Sequence, residues 1–412
     1  MSVPVIPYHE SDIVYQGDDA KKPDFPQLCE SHRIDEVQYY VTEDMPLNKR
    51  NFLYQPCTAN LMLEKLRFSS SDYFDSGAIS LMDRSDKMAF SLDDRSVSVA
   101  QNCGWRSMRS DVCMKEGKIY WEIDVRTVSD TAHIRCGISR REASMETPVG
   151  CDFYGYGLKD KGLQVIHEGR LQTVVKSYEV KAGDRIGFLL TLPSLEKQNE
   201  QAMDYSLKRI MELNSDSENG QKRNRKLNKE FYKFLLRKCE PLNVVRDQIA
   251  IRYKNQLFYE STDYVKTTKP DYYDNKDETQ KFYELEESTL EIYVNGEHYG
   301  TAFKGITPFL PPFSELQYNE KFYLHHWNKR NIAHGIEIRN KYVNNNRLGY
   351  YATVSSFQGG SAAIITDKSQ LKFLVDDPDV KTLDDVYNEQ IASDIVWDLI
   401  DEVDIEFSSV NV

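Results

Sequence analysis

The sequence predicts a mainly β protein, an antiparallel β-sandwich or barrel with long insertions and a C-terminal amphipathic helix. Three observations carry this. Short runs with turn residues between them recur from about residue 76. Aromatic residues, which pack well on pleated surfaces, are abundant: 26 Tyr, 18 Phe and 4 Trp in 412 residues. One periodic segment without Pro or Gly follows Thr382.

The elements follow in order from local pattern. Pro4, Pro7, Pro23, Pro26, Pro46 and Pro56, with scattered charge and no sustained period, predict an irregular extension over 1–75. The sandwich is expected over 76–368. Lys118 to Arg126 alternates, with Ile119, Trp121, Ile123 and Val125 on one face and Tyr120, Glu122, Asp124 and Arg126 on the other, the pattern of a half-buried antiparallel strand. Strands are also expected at 87–92, 96–99, 134–139, 163–167, 171–175, 185–192, 248–253, 257–260, 290–294 and 350–357, with Glu168-Gly169 and Asn295-Gly296 as turns.

Two stretches interrupt the sandwich. The first, 195–245, is polar and expected to be partly helical, and its segment Lys222 to Lys229 holds five positive charges in eight residues. The second, 302–348, contains Pro308, Pro311, Pro312 and Asn344-Asn345-Asn346 and reads as a long loop. An acidic linker over 369–382 then leads to a helix over 383–405. Thr382 and Asp385 form its capping signal. Ile391, Ile395, Leu399 and Val403 recur at every fourth position, Ala392, Val396 and Ile400 widen the stripe, and Asp394, Asp398, Asp401 and Glu402 lie largely elsewhere. Such a helix usually packs on its own domain. The preceding Asp376-Asp377-Pro378-Asp379 points instead to a tethered peptide that reaches outward to a partner.

A net charge of −13 argues against nucleic-acid binding over the whole surface. Seven Cys (Cys29, Cys57, Cys103, Cys113, Cys136, Cys151 and Cys239) form no C-x-x-C pair, which fits free thiols in a reducing compartment and excludes the common zinc spacings. With no leader-like start and no apolar run near 18 residues, a soluble, intracellular protein is expected. Hydrolase, phosphate-loop and metalloprotease motifs are absent, as are the motifs of a SET domain, so no cofactor, metal or catalytic residue is expected.

Between Asp83 and Leu192 a succession of motifs resembles one family. It runs Asp83-Arg84-Ser85, Leu92-Asp93-Asp94-Arg95, Gly104-Trp105-Arg106-Ser107-Met108-Arg109, Lys118-Ile119-Tyr120-Trp121-Glu122-Ile123, Ile134-Arg135-Cys136-Gly137-Ile138-Ser139, Pro148-Val149-Gly150-Cys151-Asp152 and Gly183-Asp184-Arg185-Ile186-Gly187-Phe188, with Ile292-Tyr293-Val294-Asn295-Gly296 later. These resemble the SPRY domain of the Ash-two/Bre-two family, subunits of COMPASS-type histone H3 lysine-4 methyltransferase complexes, and most of all its compact fungal form.

The resemblance implies a SPRY-type β-sandwich in a nuclear, non-catalytic scaffold. It further implies that an acidic peptide of a WD-repeat subunit binds at Trp105, Arg135, Pro148, Cys151 and Lys159, where an aromatic platform and two cations suit a carboxylate-rich strand. Animal members usually carry Tyr in place of Cys151 and Arg in place of Lys159, and an ammonium lacks the guanidinium's bidentate fork. Taken without the resemblance, Trp105 reads as core and Arg135 as an ordinary strand charge. A helical dimer of the DPY-thirty/Sdc type is implied to dock on Ile391, Ala392, Ile395, Val396, Leu399 and Val403, and a SET-domain methyltransferase to complete the assembly. Lys222, Arg223, Arg225 and Lys226 are candidates for nucleosomal DNA contact or nuclear import, against a solvated face as the plain alternative. A SPRY-type substrate adaptor for ubiquitin transfer is the other reading, although the RING-like array or adaptor box it needs is not visible.

Overall fold

The computed structural model describes residues 24–49, 52–60, 62–63, 65–74, 77–202, 204–205, 208, 244–246, 248–254, 256–261, 283–310, 342–343 and 346–410. Two sheets pack face to face. The larger has ten strands, in the order Leu28–Ile34, Val37–Thr42, Ala89–Phe90, Val97–Ser98, Ser361–Ile365, Gly117–Thr127, Arg185–Leu192, Thr289–Val294 and Glu297–Lys304, with Val380–Thr382 as a side branch. That branch runs parallel to the first half of Gly117–Thr127, while Ser361–Ile365 pairs antiparallel with its second half. The six-stranded sheet runs Arg170–Gln172, Val165–His167, Gly155–Lys159, His133–Ser139, Tyr351–Phe357 and Arg106–Arg109. A third, four-stranded sheet joins Ile249–Tyr253, Gln256–Ser261, Leu53–Ala59 and Phe68–Ser70.

The core lies between the two main sheets. Ile119, Trp121, Ile123 and Val125 share it with Ile186, Phe188 and Leu190 from one sheet and Ile134, Cys136, Ile138 and Val354 from the other. Trp121 stacks on Phe188 with ring centres 5.3 Å apart. The antiparallel sandwich is therefore formed as expected, and the predicted hairpin at Glu168-Gly169 pairs His167 with Arg170.

Four expectations are revised. Residues 1–75, expected to be irregular, contribute four strands to two sheets in their described part. What ties them down is long-range: the Tyr39 hydroxyl meets Ser96 Oγ at 2.8 Å and Ser361 Oγ at 3.0 Å, and buried Arg84 donates to Thr42 Oγ1 at 2.7 Å. The Gly117–Thr127 strand is not half-buried; Tyr120, Glu122 and Asp124 on its second face are buried too. The segment after Ile365 covers that face, because Glu122 accepts the backbone amides of Lys372 and Phe373 at 3.1 and 2.7 Å and Arg185 bridges Glu122 and Asp124.

For the same reason the acidic 369–382 segment is not a loose tether. It is strapped by these amides and by Lys118–Asp377 at 2.6 Å, and it ends in the strand Val380–Thr382. Finally, the stretch expected to loop from 302 opens inside Glu297–Lys304, and Ile306, Phe309 and Leu310 enter the core.

Candidate functional site

The first surface sits on the outer face of the six-stranded sheet. Arg135 is in register with Lys159 on one neighbouring strand and Ser355 on the other, so all three side chains leave the same face. The Arg135 guanidinium lies over the Trp105 ring, 4.8 Å from its centre. Phe357 packs against Trp105 at 5.2 Å and against its register partner His133 at 6.2 Å. His133 Nδ1 in turn sits 2.8 Å from the buried carboxylate of Asp160.

The rim is the loop between His133–Ser139 and Gly155–Lys159. Cys151 closes a turn by donating its amide to Pro148 O at 3.2 Å, and its Sγ lies 3.4 Å from Arg135 Nη1. Val149 N donates to Ser355 Oγ at 2.9 Å, which holds the turn on the sheet. This approach requires glycine beneath it, since a Cβ on Gly157 would stand 2.5 Å from Val149 O. At the start of the loop Arg109 forks Asp83 at 2.7 and 2.8 Å and also donates to the carbonyls of Arg140, Arg141 and Ala143. Burial alone would raise the Asp83 carboxyl, yet Arg109 and then Arg141 hold it below the ordinary carboxylate range. The Asp83 and Arg109 motifs thus build the loop rather than touch a ligand.

Among the described residues neither Arg135 nor Lys159 pairs with a carboxylate; Lys159 Nζ reaches Gln164 Oε1 at 3.5 Å. Arg135 Nε is buried without a hydrogen-bond partner. A guanidinium, an ammonium and an aromatic face are presented together with no acid of their own, chemistry suited to carboxylates.

The second surface is the helix Leu383–Val410. Its start is the expected capping box with Asp in the acidic position: Thr382 N donates to Asp385 Oδ2 at 2.8 Å and Asp385 N to Thr382 Oγ1 at 3.3 Å. Leu383 and Tyr387 then enter the core. Beyond Tyr387 the amphipathic rule is reversed, and the polar side faces the domain. Gln390 exchanges hydrogen bonds with Cys113 N and Asp111 O, both at 3.0 Å. Arg347 holds Asp394 at 2.6 Å, Arg246 holds Asp398 and Asp401 at 2.5 and 2.6 Å, and the amides of Lys65 and Leu66 donate to Glu402. Ile391, Ala392, Ile395, Val396, Leu399 and Val403 all face solvent, Ile395 at 57% and Leu399 at 51% exposure.

The sequence is 44% identical to the COMPASS component BRE2 of Saccharomyces cerevisiae, across 98% of this chain and 99% of that one. This chain belongs to the BRE2 family of COMPASS components. The Set1 complex component ash2 of Schizosaccharomyces pombe is 28% identical over 89% of this chain and 47% of its own length. The Set1/Ash2 histone methyltransferase complex subunit ASH2 of Drosophila melanogaster is 22% identical over 55% of this chain and 31% of its own. No family model matches. A human SPRY domain crystal structure aligns with 68% of this chain and 94% of its own at 9% identity and a TM-score of 0.29, too loose a likeness to carry an argument.

In this BRE2-family chain, Trp105, Arg135 and Cys151 meet, Lys159 stands beside Arg135, and Pro148 anchors the same turn. Trp105 is half-buried at the surface rather than core. Phe357 and His133 complete the patch and were not singled out, because strand register, which puts them there, has no local sequence signal. Phe407, 67% exposed, continues the helix stripe one step further than expected, and Ile400 widens it. Lys222, Arg223, Arg225 and Lys226 lie outside the described residues. Among the described residues no group of three or more His, Cys, Asp or Glu is placed to hold a metal, and no helix is long and apolar enough to cross a membrane.

Proposed function

We propose that this chain is a non-catalytic scaffold of a nuclear histone H3 lysine-4 methyltransferase complex. It grips an acid-rich peptide of a WD-repeat subunit at Trp105, Arg135, Pro148, Cys151 and Lys159, and a DPY-thirty/Sdc-type helical dimer at its C-terminal helix, so that a separate SET-domain subunit is held in an active arrangement. The observation that carries the reading is the outward apolar stripe of a helix whose polar side is spent on its own domain. A contiguous exposed apolar surface of this kind marks an interface.

The stripe from Ile391 to Phe407 is about 24 Å long at the helical rise of 1.5 Å per residue. With Ala392, Val396 and Ile400 it covers about half the helix circumference, wider than a single-helix seam and matched to the groove between two helices. The uncompensated cations of the SPRY face favour an acidic strand for the same electrostatic reason. Reconstitution tests it: the chain, with a WD-repeat subunit, the helical dimer and a SET-domain subunit, raises methylation of histone H3 lysine 4, and the chain alone transfers no methyl group. Failure of the purified chain to bind either the WD-repeat subunit or the dimer removes the reading.

A further inference from the structure

We infer that Arg246 and Arg347 are positioning residues that keep the distal half of the C-terminal helix folded and seated polar side down, so that its apolar stripe is ready for a helical partner; the partner rests on the docking reading above, the seating on the ion pairs. An amphipathic helix beside an apolar domain gains most by turning its stripe inward. Here the opposite face is bound. The acids at 394, 398, 401 and 402 share one side of the helix, and each has a partner: Arg347 for Asp394, Arg246 for Asp398 and Asp401, and the Lys65 and Leu66 amides for Glu402.

Both guanidiniums are nearly buried, with side-chain exposures of 3% for Arg246 and 9% for Arg347. A helix rolled stripe-inward would leave them without carboxylates in a poorly solvated place, which is strongly unfavourable. The two arginines also share a base. Val244–Val245 and Tyr342–Val343 pair in parallel, and the arginines follow these strands by one and four residues. Leu383, Tyr387 and Gln390 fix only about the first two turns of the helix. Beyond them the exposed apolar residues are mostly β-branched, such as Ile391, Ile395, Val396, Ile400 and Val403, poor helix formers when unsupported. Ordering the helix in advance lowers what a partner must supply on binding.

The test compares the wild-type chain, the double variant Arg246→Ala/Arg347→Ala, Arg347→Lys, and the exchange Arg347→Asp/Asp394→Arg. Two readouts are taken: hydrogen exchange of amides 394–407, and titration with the helical dimer. The double variant is expected to exchange faster and to capture the dimer more weakly, each by about tenfold or more, the change that losing a buried pair's 1.4 kcal/mol or above implies. Arg347→Lys falls between it and wild type, and the exchanged pair recovers most of both readouts, which a loss of general fold would not allow. Unaltered exchange, or faster exchange with undiminished capture, overturns the inference. A wild-type chain that ignores the dimer defeats the docking reading instead, and hydrogen exchange still decides the seating.

Discussion

The Arg135 guanidinium rests 4.8 Å from the centre of the Trp105 ring, with Cys151 Sγ 3.4 Å from its Nη1. Ring and thiol hold the cation in place without neutralising it. Removing it as Arg135→Ala should weaken an acid-rich peptide about tenfold to a hundredfold, the range for a lost charge-assisted hydrogen bond. Calorimetric titration at two salt concentrations checks this, with Arg135→Lys intermediate because an ammonium cannot fork. The thermal midpoint should barely move, since Arg135 is only half-buried. Equal peptide affinity in wild type and Arg135→Ala would remove the site.

Leu399 stands in the middle of the exposed stripe. Leu399→Asp places a charge where the partner must be apolar, so capture of the helical dimer should be lost, while fold stability changes by only about 0.5 kcal/mol, as for other surface positions. Pull-down and thermal melting on one preparation separate the two effects. Retained capture counts against the docking surface.

Gly77 sits against the root of the helix at φ +58°, and a Cβ there would meet Tyr387 Cδ2 and Val112 Cγ2 at 2.9 Å. Tyr387 is buried and its hydroxyl donates to Asp72 at 2.8 Å, so it has little room to yield. Gly77→Ala should cost about 1–3 kcal/mol through overpacking and backbone strain. A denaturant titration that leaves the midpoint unchanged would contradict this.

The carboxyl of Asp111, whose backbone carbonyl accepts from Gln390 of the helix, is pushed up to about 7 by burial and then by the neighbouring Asp72 carboxylate, against Arg141 and Ser80. Its folded pKa exceeds its ordinary 3.8, so the folded chain binds the extra proton between these values. The stability it contributes is present at low pH and declines as pH rises from about 4 to 7. Asp83 works in the opposite sense, but only as pH falls through its lowered pKa, below this window. Asp111→Asn, which mimics the protonated form, should therefore flatten the fall in denaturant midpoint between pH 5 and pH 8. An equally steep fall in the variant would assign the dependence elsewhere.

How much of this was legible in the sequence follows from the range of each interaction. The alternation of Lys118 to Arg126, the turns at Glu168 and Asn295, the Thr382 cap and the fourfold spacing from Ile391 are local, and local sterics and hydrogen bonds suffice to make them a sandwich strand, hairpins and a helix. Leu28–Ile34 and Val37–Thr42 escaped because their support comes from Ser96 and Ser361, far along the chain. Phe357 joined Trp105 only through the register of Tyr351–Phe357 on Arg106–Arg109, in which Ser356 lies opposite Arg106.

The sequence by itself determined that the helix has an apolar and an acidic side, since periodicity alone sorts side chains by azimuth. It could not determine which side faces home. That choice belongs to Arg246 and Arg347, brought beneath the acids from 152 and 47 residues away on a base made by the pairing of Val244–Val245 with Tyr342–Val343. Paired charge, which must not be stranded once buried, outweighed the pull of the apolar stripe toward the core.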